Sequence, residues 1–274
     1  MKIIYAIGNN IDSHIQLSRF LKITKHDVKV LSVGTSNYFD SDLNIAFFKN
    51  YISVSDPRIE FLNDYIKKYN PDLIISDCEY IIPYIGFNLK IPCINYSIEN
   101  LILRLKKFNF DVIRANPLHL NLYKNADLNL LPVIDGIDLK ANPLASFTEC
   151  RPFTFVAENQ NETNLVHVSC NNKKLLHRAN HFNYNQIDTI EYFNSINSST
   201  YFVCEFLYTF VMDAYYNNRY LYVYDSFQNE YSYLFSHMEK NRFAELFKSE
   251  NNFSKKKIRF DINLKQLSDF IEEI

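Results

Sequence analysis

Tryptophan is absent from this chain, glycine occurs 4 times and methionine 3 times, whereas tyrosine and phenylalanine number 20 and 23. Set among many Asn, Lys and Ile residues, that bias reads as the codon usage of an AT-rich genome. Aromatic stripes therefore count for little as stacking platforms. Cysteine is sparse as well: Cys78, Cys93, Cys150, Cys170 and Cys204 are scattered, odd in number and form no C-x-x-C pair. That excludes a disulfide framework and a zinc knuckle, and suits a reducing compartment. His167, His177 and His181 fit no ligand spacing, so no metal is expected. No apolar run reaches the ~18 residues of a membrane span, and the first residues read directly as a strand, so we expect no signal peptide and a cytoplasmic protein. A surplus of charge is missing too. The net charge of −2 provides no strong field for nucleic acid or anionic membrane; it leaves peripheral membrane association and oligomeric state open.

The rest is ordinary for a folded protein of 274 residues, with 47% hydrophobic and 22% charged side chains. Residues 2–7 form a short apolar run ended by Gly8, followed by a polar loop and then helical spacing from Ile15. Ser13 or Asp12 is the expected cap, which puts His14 in the first helical turn. Residues 27–33 read as a second strand and 57–69 as a helix; 39–54 have no clear period. A β-α-β rhythm continues through a strand at 72–77, a helix at 79–89 and a strand at 91–97, which implies a parallel sheet. Helices over 101–110 and 117–124 and a strand at 127–131 complete a first domain, 1–140. Residues 141–162 lose periodicity and read as a linker. A second domain, 163–274, alternates again: strands at 164–169, 200–204 and 220–224, helices at 186–196, 210–217 and 230–240, and a closing amphipathic helix at 264–274.

Several stretches carry a resemblance. His14-Ile-Gln-Leu-Ser-Arg-Phe-Leu, followed by His26-Asp-Val-Lys-Val, resembles the opening of GT-B glycosyltransferases of the UDP-glucuronosyltransferase and MurG type. There a Gly-His pair precedes a helix and a Gly-His-Glu-Val-x-Val strand; here Ser13 and Lys25 stand in place of the glycines. Pro71-Asp-Leu-Ile-Ile-Ser-Asp77, with Gly86-Phe-Asn-Leu-Lys-Ile-Pro92, is similar to the family's Pro-Asp-x-x-x-x-Asp, helix, Gly-Ile-Pro pattern. Cys150-Arg-Pro-Phe resembles its linker, and Leu165-Val-His-Val-Ser169 the first strand of its nucleotide-binding half. The resemblance implies an α/β fold of two Rossmann-like domains facing across a cleft, with the C-terminal half abbreviated. It also implies transfer of a sugar, with inversion, from a nucleotide-sugar co-substrate (foremost a UDP-sugar) to a carbohydrate or other hydroxyl acceptor, without a metal or a further cofactor.

The chemistry fits the first half best. A base must take the acceptor's proton as the hydroxyl attacks the anomeric carbon. A histidine steadied by a carboxylate does this. His14 is the expected base and Asp77 its orienter; the bland alternative has His14 packed locally and Asp77 capping the helix that starts near Glu79.

The second half departs from the family. Its Gly-Gly-x-x-Thr-x-x-Glu-Ala cradle is represented by Phe206-Leu-Tyr-Thr-Phe-Val-Met-Asp213-Ala214, where bulky side chains replace the glycines that let backbone approach a diphosphate. Asp213 remains as the expected ribose ligand. Phe227-Gln228-Asn-Glu-Tyr-Ser232 resembles Asp/Glu-Gln-x-x-Asn-Ala and gives Gln228 as a second donor residue. Lys255, Lys256, Lys257 and Arg259 read as a solvated loop. Between 169 and 200 the chain is short, as if one β-α unit were missing. The competing expectations are an inactive GT-B-like binding or scaffold protein and, more remotely, a UDP-sugar epimerase.

Overall fold

The computed structural model describes residues 1–8, 10–33, 42–45, 56–96, 117–133, 146–153, 164–169, 179–183, 186–187, 189–205, 207–217, 219–224, 235–236, 238–240, 244–247 and 264–274. The chain divides into two compact units. The first holds Met1–Val133, Asp138–Arg151 and Lys265–Ile274, and the second holds Ile134–Ile137 and Pro152–Leu264.

In the first unit the strands are β1 (Lys2–Ile7), β2 (Asp27–Val33), β3 (Leu43–Ile45), β4 (Leu73–Asp77), β5 (Cys93–Tyr96), β6 (Leu128–Pro132) and β7 (Thr148–Cys150). They form one parallel sheet in the order β3-β2-β1-β4-β5-β6-β7. Strands β1 and β4 lie in its middle, and Ile3, Ile4, Ile7, Leu73, Ile74 and Ile75 are wholly buried. That is why both read as unbroken apolar runs, and each such side chain contributes roughly 1.5–3 kcal/mol. Helix α1 (Ile11–Ile23) covers one face, where Phe20 meets the Tyr5 ring at 5.6 Å. Helices α2 (Pro57–Tyr69) and α3 (Ile81–Asn88) pack on the other, with Leu62, Ile66, Ile82 and Ile85 against Ile4, Ala6 and Ile74. Helix α4 spans Pro117–Asn125.

Three expectations change here. The cap of α1 is Asn10, whose side chain accepts from the Asp12 amide at 2.9 Å, so the helix starts before Ser13. The stretch expected as a bare linker contributes β7, the seventh strand. The closing helix, α7 (Leu267–Ile271), belongs to the first unit: Arg151 pairs with Gln266, and its amide donates to the Lys265 carbonyl.

The second unit has β8 (Asn164–Ser169), β9 (Ala179–Asn183), β10 (Ser199–Glu205), β11 (Tyr220–Tyr224) and β12 (Glu245–Leu246), with α5 (Ile190–Ser198) and α6 (Tyr208–Tyr216). All five strands are parallel, in the order β12-β11-β10-β8-β9. Among the described residues this unit has five strands and the first has seven. Strand β9 is an addition to the expected elements; only Phe182 of its five residues is buried, so this edge strand carries no apolar alternation. The helices expected over 101–110 and over most of 230–240, and also Gln228, lie outside the described residues.

Candidate functional site

Open parallel sheets bind ligands beyond the carboxyl ends of the strands where the strand order reverses. In the first unit that point lies between β1 and β4, whose chain-order neighbours run off in opposite directions and whose covering helices lie on opposite faces. The register pairs Ile7 with Asp77, so the two strands end level. His14 follows from β1 and Asp77 ends β4: the fold brings both expected residues to the same sheet edge.

The corner is built by close backbone approach. The Gly8 amide donates to the Asp77 carbonyl at 2.9 Å. A Cβ on Gly8 would stand 2.0 Å from the Cys78 carbonyl oxygen, so only glycine fits. Cys78 itself turns through the left-handed region at φ 56°, which bends the chain away from the sheet immediately after Asp77.

His14 occupies the first turn of α1 with 1% of its surface exposed. Burial pushes the imidazole down to about 4, against the opposing effect of a hydrogen bond with the Gly8 backbone. It is therefore neutral across the physiological range.

Asp77 is also 1% exposed, and its two carboxylate oxygens are engaged by separate hydroxyls. Ser13 Oγ donates to Oδ1 at 2.6 Å, and Tyr5 Oη donates to Oδ2 at 3.1 Å. Burial and the Asp77 charge drive the Tyr5 phenol well above its ordinary range, so it stays protonated and donating. Further along the same face, Tyr96 Oη donates to Gln16 Oε1 at 2.9 Å. Hydroxyls from β1 and β5 and a carboxylate from β4 thus form a polar seam under α1. The helix is held by directed bonds as well as by Ile15, Leu17 and Phe20.

Glu79, not Asp77, caps the following helix. Its carboxylate accepts from the Ile81 amide at 2.7 Å and the Ile82 amide at 2.9 Å, and Ser76 Oγ donates to its carbonyl. Burial raises this carboxyl to about 7, against the lowering effect of those amides. Nothing in the sequence marked Tyr5, Cys78 or Glu79 as parts of the corner. Tyr5 sits in an apolar strand, and the left-handed turn at Cys78 has no residue signature.

The second unit presents a different picture. Its strand order reverses between β8 and β10. Helix α6, which follows β10, opens on Leu207 without a side-chain cap, and all nine of its residues are buried. Asp213 is 0% exposed; its Oδ2 accepts from Tyr192 Oη at 2.7 Å, and its carbonyl accepts from Asn217 Nδ2 at 2.8 Å. In this structure the carboxylate faces a tyrosine inside the unit, and a ribose could reach it only if that contact opened. Bulk in place of glycine is thus realised as core: Tyr208, Phe210 and Val211 are packed, not presented.

Among the described residues no group of three or more His, Cys, Asp or Glu side chains could hold a metal ion, and no helix is long and apolar enough to cross a membrane.

No family model matches the sequence, and no curated protein matches it. Solved structures do. MurG from Acinetobacter baumannii superposes with a TM-score of 0.53 at 10% identity, over 93% of this chain and 87% of that one. A UDP-glucosyltransferase from Polygonum tinctorium gives 0.53 at 9% identity, over 87% and 82%. The chain has the GT-B fold. A UDP-GlcNAc 2-epimerase from Neisseria meningitidis matches over 48% of this chain, which spans only 40% of that protein, with 17% identity and a TM-score of 0.36. The GT-B architecture, two Rossmann-like α/β units in one chain, is present here at about 10% sequence identity to those structures.

Proposed function

We propose that this GT-B protein transfers a sugar from a nucleotide-sugar donor, a UDP-sugar foremost, to a hydroxyl acceptor, with inversion at the anomeric carbon. The observation that supports this reading most is the placement of a neutral histidine and a buried carboxylate at the reversal point of the first sheet. The names of similar structures, MurG and a UDP-glucosyltransferase, point the same way. His14 takes the acceptor proton. Burial keeps the imidazole unprotonated and so able to accept that proton, and Asp77 stabilises the imidazolium that results. Gln228 stays in the reading as a donor-side residue. Asp213 serves that side indirectly, by anchoring the helix that follows β10.

The direct test is nucleotide release from a panel of UDP, GDP and dTDP sugars. His14→Ala is expected to slow turnover by roughly 10²–10⁴-fold; a variant as fast as wild type removes His14 from the mechanism.

One observation favours a second reading, a GT-B binding protein without turnover: the apolar, fully buried opening of α6 where the family has a glycine cradle. Calorimetry separates the two. Tight UDP binding accompanies the transferase, and no nucleotide binding accompanies the scaffold.

A further inference from the structure

In the proposed reaction Asp77 serves the base, and both oxygens of Asp77 accept from neutral hydroxyls of two other elements. Ser13 Oγ reaches it from the third residue of α1, and also lies 3.4 Å from Cys78 Sγ. Tyr5 Oη reaches it from β1. All three side chains are buried.

We propose that Tyr5 and Ser13 are positioning residues for His14, acting through Asp77: the two hydroxyls clamp the carboxylate beneath the first turn of α1 and thereby set where the imidazole stands. The proposal rests on His14 being the base of the reaction above.

Three physical points carry it. A buried carboxylate is costly unless its lone pairs are satisfied, and a stability role alone is met as well by apolar side chains of equal volume. The clamp binds β1, β4 and α1 together one residue from His14, so displacement of any of the three moves the histidine. Finally, an anion hydrogen-bonded at the N-terminal turn of a helix is held by the exposed amide dipoles, which fixes the turn against the sheet. Among the described residues, the groups that bear on this corner are Tyr5 from β1, Ser13 from α1, Asp77 from β4, Tyr96 from β5 and the Cys78 thiol. Tyr5 remains a donor throughout because its phenol does not ionise in the working range.

Ser13→Ala and Tyr5→Phe each delete one hydroxyl, and Ser13→Thr returns it. In the full chain, the His14 imidazole is titrated by NMR, and UDP-sugar turnover is followed by nucleotide release. Each deletion is expected to raise the His14 midpoint by about one pH unit, because a loosened first turn lets water reach the imidazole and relieves the burial that lowers it. It should also lower kcat about tenfold with KM nearly unchanged, as for an interaction made only in the transition state. Ser13→Thr restores both. An unchanged His14 midpoint in both deletions, at wild-type melting temperature, overturns the clamp. The two ideas fail separately: absence of turnover in the wild type removes the reaction, while the NMR titration still decides the clamp.

Discussion

The two units solve the same topological problem with opposite chemistry. Each is a parallel sheet whose order reverses once, between β1 and β4 in the first and between β8 and β10 in the second. Each also has a tyrosine hydroxyl donating to a buried aspartate: Tyr5 to Asp77, and Tyr192 to Asp213. In the first unit that pair stands at the strand ends beside a histidine, a glycine contact and a left-handed turn, and a second hydroxyl shares the carboxylate. In the second it ties α5 to the middle of a helix with no exposed residue. One pair sits at the strand ends where the sheet order reverses, the other inside a packed helix. Position relative to the reversal point, and not the residue pair, tells them apart.

The sharpest way to break the first corner is at Gly8. A methyl group there collides with backbone, which cannot rotate away, so Gly8→Ala is expected to destabilise the protein by about 3 kcal/mol or more. Gly86→Ala is the control, because its Cβ would meet only the tip of the Ile74 side chain, and about 1 kcal/mol is expected. Equal losses in urea melts of the two variants would mean that the Cys78 turn yields.

Next in size is the pH dependence of stability, which the corner sets with two opposing groups. His14 titrates lower in the folded chain than its ordinary 6.5, so its contribution is present above about 6.5 and is lost as pH falls towards about 4. Glu79 titrates higher than its ordinary 4.5, so its contribution is present below about 4.5 and is lost as pH rises towards about 7. Each is worth on the order of 2 kcal/mol, and between about 4.5 and 6.5 they largely cancel. His14→Gln should unmask a stability that falls as pH rises through this window, and Glu79→Gln one that rises. Parallel thermal melts of both variants from pH 4 to 8 (roughly the span of the two titrations) read the two slopes; the same slope in both would show that neither group governs it.

The tyrosine pair of the second unit offers the complementary test. Tyr192→Phe leaves the Asp213 carboxylate without that donor and is expected to cost about 2 kcal/mol. UDP affinity by calorimetry should stay within about twofold if the pair only fastens α6. A tenfold loss of affinity at unchanged stability would place Asp213 on the ligand and erase the contrast between the units. The smallest effect belongs to Asn10→Ala, which removes the cap of α1 at about 1 kcal/mol by chemical denaturation. It tests whether the seam, more than the cap, holds the helix that carries His14.

Much of the first unit was legible because buried parallel strands are apolar throughout and end on small or polar residues. β1, β2 and α2 appear with the bounds that their sequence implies. Strands β7 and β9 were not legible: one is three residues long, and both are partly exposed edges whose pattern cannot be told from loop. His14 and Asp77 could be singled out as a pair, since strand ends in one sheet converge. Their environment could not. The grip of Ser13 and Tyr5 on Asp77 joins residues 64 and 72 positions apart, and no local pattern encodes such a contact. For Asp213, sequence could supply a carboxylate at the family's spacing but not its burial, which depends on α6 being enclosed on every side.

What the sequence determined by itself is the alternation of elements, the absence of a cradle glycine in the second half and the presence of a histidine just past the first strand. These are local facts, written in period, residue size and order along the chain. The tertiary structure alone decided that the histidine is buried, that the Asp77 carboxylate accepts from hydroxyls of two elements and that the Asp213 carboxylate of the second unit faces inward. Ionisation and hydrogen bonding depend on what surrounds a group in space, and here those surroundings come from strands and helices far apart in the chain.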